Sequence, residues 1–145
     1  MKNIQDLSIL LVEDNPVDID LTLHAFSRIH FNNPVQVARD GLEVIELFEH
    51  WKEDTPYPGV ILLDIKLPKV TGLEVLKKLK TNPKTCAIPV VMLTSSTDET
   101  DVKTAYQCGA NSYIIKPVDF EKFTLFTSTL CEYWMNLNVR PEPPK

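Results

Sequence analysis

Glu13 and Asp14, Asp64, Thr94 and Lys116 each follow directly on a short apolar run: Ile9-Leu10-Leu11-Val12, Val60-Ile61-Leu62-Leu63, Val90-Val91-Met92-Leu93 and Tyr113-Ile114-Ile115 respectively. Carboxylates, a hydroxyl and an ammonium are the groups that phosphoryl transfer uses. Three carboxylates crowded together repel, and at least one pKa rises unless a cation neutralises them. A hard divalent ion does so. Magnesium prefers oxygen ligands and keeps several waters, so carboxylates and a backbone carbonyl at a loop edge suit it, with positions left open for a phosphoryl oxygen. Asp64 is then placed as a nucleophile toward phosphorus, since a carboxylate can carry a phosphoryl group covalently as an aspartyl phosphate. Lys116 and the metal would stabilise charge on the transferred group, and Thr94 would offer its hydroxyl to one of the oxygens.

This chemistry requires the four runs to end side by side. Short runs of Val, Ile and Leu bounded by turn residues read as strands of a parallel sheet buried on both faces. Helical patterns lie between them, so the chain alternates strand and helix along nearly its whole length. If the four strands are parallel and adjacent, their polar ends meet at one edge, where open α/β sheets bind ligands. Asn15 as N-cap with Pro16 at the first helical position predicts a first helix to about Ile29, with Ile19, Leu23 and Phe26 as its buried stripe. Val35-Gln36-Val37-Ala38 is a weaker second strand. A second helix is expected over Gly41 to Lys52, with Leu42, Ile45 and Phe48 along one stripe. A third carries Leu73, Leu76 and Leu79 and ends near Asn82-Pro83. A fourth runs from Asp98 to Cys108, stopped by Gly109, and a fifth from Asp119 to about Asn136.

With 145 residues, 43% of them hydrophobic, the chain can build one substantial core but not a comfortable second. A net charge of -5 and the lack of clustered Lys and Arg exclude a general nucleic-acid binder. The first residues lack the apolar core of a signal peptide and no run approaches membrane-spanning length, so a cytoplasmic protein with no membrane partner is expected. Cys86, Cys108 and Cys131 suggest neither a disulfide framework nor zinc spacing. His24, His30 and His50 share no metal-ligand spacing, and Trp51 and Trp134 read as packing residues.

The pair Glu13-Asp14, the run Leu63-Asp64-Ile65-Lys66-Leu67-Pro68 followed by Gly72, Thr94-Ser95-Ser96 and Lys116-Pro117 together resemble the signature of receiver domains of two-component response regulators, over about residues 6 to 136. The resemblance implies a flavodoxin-like, doubly wound five-stranded parallel sheet in the order 2-1-3-4-5 with five helices. The expected receiver domain spans residues 1–136, and the Pro-rich, polar end of the chain predicts a flexible tail over 137–145. The resemblance implies that Asp64 is the phosphoacceptor, that Glu13, Asp14, Asp64 and the Lys66 backbone carbonyl hold magnesium, that Thr94 and Tyr113 form a switch pair, and that Lys116 contacts the phosphate. It also implies a cis Lys116–Pro117 bond. Within the family, Val12-Glu13-Asp14-Asn15-Pro16, Ala38-Arg39-Asp40-Gly41, Ile115-Lys116-Pro117-Val118-Asp119 and Tyr133-Trp134 are most similar to stand-alone regulators paired with phytochrome-class histidine kinases. Lys66 and Ser96 occupy positions that control access of water to the phosphate in the family.

The implied function is a phosphorelay switch that accepts its phosphoryl group from a histidine kinase and signals by changing a protein-binding face, without turnover of external substrates. In receivers the kinase docks on the first helix, where Asn15, Asp18, Leu21 and Thr22 fall toward the active-site end or the outer side. On the fifth helix, Phe120, Phe123, Leu130, Cys131 and Trp134 make one apolar stripe, and Phe126, Tyr133 and Leu137 widen it into a surface that suits a homodimer. The rival class is a haloacid-dehalogenase-like phosphatase, which also uses an aspartate nucleophile, a hydroxyl, a lysine and magnesium. Such an enzyme needs a second acid two residues after the nucleophile, where this chain has Lys66.

Overall fold

The computed structural model describes residues 7–141. Each apolar run becomes a strand: β1 (Ile9–Val12), β2 (Val35–Ala38), β3 (Val60–Leu63), β4 (Val90–Thr94) and β5 (Ser112–Ile115). All pairs are parallel and the order is β2-β1-β3-β4-β5, so the four strands that carry the polar ends are neighbours. Every residue of β1, β3 and β4 is buried, whereas the edge strands β2 and β5 are partly open. That is why the central three read as unbroken apolar runs and β2 does not.

Five helices connect them: α1 (Pro16–Arg28), α2 (Gly41–Glu49), α3 (Gly72–Thr81), α4 (Glu99–Gln107) and α5 (Phe120–Cys131), the last continued by a π-helical segment over Glu132–Leu137. Alternate strand residues feed two cores. Leu10, Val12, Ile61, Leu63, Val90 and Met92 pack with Val44 of α2, Val75, Leu76 and Leu79 of α3 and Ala105 of α4. Ile9, Leu11, Val60, Leu62, Val91 and Leu93 pack with Ile19, Ala25 and Phe26 of α1 and Phe123 and Leu130 of α5. Fully burying an aliphatic side chain contributes roughly 1.5–3 kcal/mol, so β3, buried on both faces, is a rigid mount for the residue that follows it.

All five helices begin at the edge where the strands end, each with a polar N-cap: Asn15, Asp40, Thr71, Asp98 and Asp119 each accept from a backbone N–H of the first turn. Two glycines draw the loops at this edge together. The N–H of Gly72 donates to Ile65 O at 2.8 Å. A Cβ on Gly72 would overlap the carbonyl of Asp64, and one on Gly41 would overlap the carbonyl of Val70. Asp40 adds an ion pair to Lys69 at 3.4 Å, so the loop after Asp64 is held from the α2 side as well.

Several expectations need correction. The buried face of α1 is Ile19, Thr22, Ala25 and Phe26; Leu23 is exposed, because small Ala25 lets the helix sit close. Thr22 is buried because its hydroxyl is satisfied within the helix by Asp18 O at 2.7 Å. Leu21 is half-buried against the α1 and α5 core, so it is not the exposed apolar residue expected. On α2, which stops at Glu49, Val44 is buried and Leu42 exposed. Phe126 is partly buried, edge-on to Phe123 at 5.8 Å between centroids. The Lys116–Pro117 bond is trans, as are all described peptide bonds; the cis form of an X–Pro bond differs by only about 0.5–1 kcal/mol, so the residue pair alone does not fix it. Of the expected tail, Leu137 closes the π-helical segment and the Arg140 guanidinium packs beside Gly59 and Met135, while residues 142–145 lie outside the described chain.

The Gly72 contact is directly testable. Gly72→Ala should lower unfolding stability by about 1–3 kcal/mol, because the overlap is with backbone that cannot swing aside. Urea denaturation with an unchanged midpoint would show that the loop after Asp64 is not held this way.

Candidate functional site

The strand ends converge on the side chain of Lys116. Its Nζ lies 3.0 Å from Asp64 Oδ2 and 3.1 Å from Asp18 Oδ2, and it also bonds Glu13 Oε2. Two of these carboxylates are fixed from behind. Asp64 is buried and its Oδ1 accepts the Ile65 N–H at 2.7 Å. Glu13 is buried and its Oε1 accepts the Asn15 N–H at 3.1 Å. Asp14 is exposed at the same edge, and carboxylate oxygens of Glu13, Asp14 and Asp64 lie within 4.8 Å of one another.

The local backbone explains this convergence. The Asp64 N–H donates to Val12 O at 3.1 Å and the Glu13 N–H to Ala38 O at 3.0 Å, which carries the sheet's register one residue past the strands. The Lys116 N–H donates to Thr94 O at 2.9 Å, so the lysine leaves β5 beside β4 and reaches across to β3 and β1. Burial raises the carboxyl pKa of Glu13 to about 7; the bond from Lys116 opposes the shift and the charge on Asp64 adds to it. Lys116 is held above the ordinary lysine value: burial pulls it down, but the bond to Glu13 and the charge on Asp64 outweigh that.

Thr94 is buried, and its Oγ1 accepts the Ser96 N–H at 3.3 Å. Tyr113, half-buried, donates its hydroxyl to Ser96 O at 2.9 Å, and burial raises its phenol pKa. The two candidate switch residues thus meet through Ser96, whose own hydroxyl donates to Asp101 Oδ2 at 2.6 Å. Lys66 lies exposed in the loop after β3, at the centre of a tight turn in which the Leu67 N–H donates to Ile65 O at 3.1 Å. Of the residues expected to meet a kinase, Asn15 is exposed as the helix cap, Thr22 is buried, Leu21 is half-buried and Asp18 belongs to the Lys116 cluster. Tyr133 and Leu137 are exposed. Sequence reasoning missed exposed Val17 and Leu125 and the Ser96–Asp101 bond. The signal for Val17 was its place directly after Pro16, on the first turn of a helix that starts at the site.

Residues 9–126 match the response regulator receiver domain family. FilR2, a probable methanogenesis regulatory protein of Methanothrix harundinacea strain 6Ac, is 40% identical over 136 residues, covering 93% of this chain and 88% of its own. Response regulator Rcp1 of Synechocystis is 33% identical over 135 residues, 92% of each chain. The crystal structure of its Mn2+-bound form matches with a TM-score of 0.83 at 33% identity, covering 94% of this chain and 99% of that one. The crystal structure of the phosphorylated cyanobacterial phytochrome response regulator RcpA matches with a TM-score of 0.86 at 33% identity and the same coverage. The chain belongs to the response regulator receiver domain family.

The raised pKa of Glu13 sets a sign for pH dependence. The metal-free folded protein binds a proton at Glu13 that the unfolded chain releases above about 4.5, so this contribution to stability is fully present below 4.5 and is lost as pH rises through about 7. Chemical denaturation in chelator at pH 5 and pH 8 should show that Glu13→Gln reduces the loss of stability over this interval. An identical loss in both proteins would place the proton elsewhere.

Proposed function

We propose that the protein is a phosphorelay response regulator in which Asp64 accepts a phosphoryl group from a histidine kinase with magnesium present, and a protein-binding face changes as a result. The observation that carries this reading is the Lys116 ammonium 3.0 Å from Asp64 Oδ2, beside a group of three carboxylates within 4.8 Å. The donor set fits magnesium: it is all oxygen, and burial, with the Asp64 charge adding to it, raises the Glu13 pKa, a cost to the charged carboxylates that a divalent cation relieves. Glu13, Asp14, Asp64 and the Lys66 backbone carbonyl would hold the ion, which supplies, when bound, charge neutralisation for the phosphoryl oxygens.

The chain's own residues do the rest. Asp64 Oδ2 attacks phosphorus as the bond from phosphorus to the kinase's imidazole nitrogen breaks, and that nitrogen is protonated as the imidazole leaves. The Lys116 ammonium, already on Oδ2, shifts to an oxygen of the transferred group. The Thr94 hydroxyl, still accepting the Ser96 N–H, donates its own hydrogen to another, drawing the loop after β4 with it. Because Tyr113 is tied to Ser96 O, this movement alters the face between α4 and α5 and shifts a two-state equilibrium.

A stand-alone regulator of a phytochrome-class kinase is supported by the likeness to RcpA over nearly the whole of both chains. A non-turnover role in the cytoplasm fits the family, and among the described residues no helix is long and apolar enough to cross a membrane. The phosphatase alternative finds no support: Lys66 stands where the second acid is needed, and its side chain points to solvent. The kinase face of α1 centres on Asn15 and Val17, with the open edge of Leu21 one turn further on. The dimer surface is Leu125, Tyr133 and Leu137, without Phe126.

Incubation with acetyl phosphate and magnesium should add one acid-stable, hydroxylamine-sensitive phosphoryl group, read by intact mass. Labelling that persists in Asp64→Asn would sink the assignment. In the same assay Val17→Asp should slow transfer from the phosphorylated histidine domain of a phytochrome-class kinase at least tenfold in order of magnitude, about 1.4 kcal/mol, and leave acetyl phosphate labelling intact. Equal loss with both donors would mean a damaged fold instead of a damaged docking face. By sedimentation, the wild type should dimerise more tightly when phosphorylated, and Tyr133→Asp or Leu125→Asp should abolish this; a wild type that stays monomeric in both states rules the dimer out.

A further inference from the structure

An acid in the first turn of a helix is ordinarily explained by the helix alone. At the third helical position it favours the macrodipole and commonly reaches back to bond the N–H of the N-cap residue. Asp18 holds that position in α1, where Asn15 is the cap and Pro16 the first helical residue. Here the reaching-back is done by another residue: the Asn15 N–H donates to Glu13 Oε1 at 3.1 Å. The Asp18 carboxylate instead projects toward Lys116, 3.1 Å from its Nζ, across a sequence separation of 98 residues.

An ammonium has three N–H donors. Lys116 uses them on Glu13, Asp64 and Asp18. Two of these acceptors, Glu13 and Asp64, also belong with Asp14 to the carboxylate group suited to a divalent cation, and Asp18 does not. Cation binding would compete with Lys116 for Glu13 and Asp64, and phosphorylation for Asp64, whereas Asp18 stands outside the cation's ligand group. The carboxylate is well placed to persist as an anchor. Its residue is tied into the helix by the Thr22 hydroxyl on its carbonyl at 2.7 Å and by the Asn15 cap on its N–H at 3.4 Å. Thr22 and its neighbour Ile19 are buried, so α1 cannot rotate to withdraw it.

We infer that Asp18 is a positioning residue for phosphoryl transfer: it holds the Lys116 ammonium over Asp64 once the other two carboxylates are engaged elsewhere. This removes Asp18 from the kinase face and rests on the reading of Asp64 as phosphoacceptor. The consequence is a slower reaction with any donor when Asp18 loses its charge, with magnesium affinity nearly unchanged.

Two measurements test it. In metal-free protein, the melting temperatures of Asp18→Asn, Lys116→Met and the double variant form a cycle. A positioning contact predicts that the effect of Asp18→Asn with Lys116 present differs from its effect in the Lys116→Met background; an equal effect in both means that Asp18 serves the helix alone and overturns the inference. With acetyl phosphate and magnesium, Asp18→Asn should be labelled about two- to fivefold more slowly than wild type, the range a partly exposed charged contact supports, and Asp18→Glu should recover part of the rate. Wild-type rates in Asp18→Asn overturn the inference and leave the phosphoacceptor intact, whereas a wild type that takes no label at Asp64 overturns the underlying reading itself.

Discussion

One ammonium among too many carboxylates organises this molecule's functional edge. Among the described residues, Lys116 is the cation that pairs with Glu13, Asp18 and Asp64, with Asp14 beside them. Two like charges at such separations repel by roughly 3 kcal/mol at an effective dielectric near 20, comparable to what burying a Leu side chain contributes. The imbalance is tolerated because the sheet leaves the groups no retreat. Asp64 and Glu13 continue the register of two fully buried strands, and their remaining oxygens are fixed by backbone N–H groups. The carboxyl pKa of Glu13, raised by burial and further by the Asp64 charge, and the elevated pKa of Lys116 are the local signatures of this edge. An edge held in this state favours ligands that bring positive charge, and then a phosphoryl group that Lys116 can meet.

The same constraint couples the site to the surface. Lys116 leaves β5 through a backbone bond to Thr94, and Tyr113 on that strand is tied to the loop after Thr94 through Ser96. A displacement of Thr94 therefore reaches a side chain on the outer strand through two hydrogen bonds. Asp101 on α4 holds the Ser96 hydroxyl, so the loop has a second tether that must adjust with it. The exposed Leu125, Tyr133 and Leu137 lie further along α5 and its π-helical extension.

The sheet and its polar edge were legible in the sequence because a parallel strand buried on both faces leaves an unbroken apolar run, and the residue ending each run is then forced to the edge. Asp64, Glu13, Asp14, Thr94 and Lys116 all followed from that single argument. What failed was helix rotation. Hydropathy favours Leu23 over Ala25 and leaves Thr22 outside, but close packing prefers the small residue, and a hydroxyl bonded to its own helix can be buried. Phe126 was misplaced for a related reason: an aromatic residue at the margin of a stripe can turn onto its neighbour Phe123, while Leu125 stays in water. The role of Asp18 was invisible because its partner lies 98 residues away on another strand end.

The central claim is that the Lys116 ammonium transfers from the Glu13 and Asp64 carboxylates to the phosphoryl group carried by Asp64. A crystal structure with magnesium and beryllofluoride, a stable mimic of the acyl phosphate, tests it most directly. The account predicts beryllium bonded to an Asp64 carboxylate oxygen, a fluoride within hydrogen-bond distance of Lys116 Nζ and another within reach of Thr94 Oγ1. Beryllofluoride bound at any other carboxylate, or a Lys116 side chain still paired with Glu13 and away from the fluorides, would contradict it.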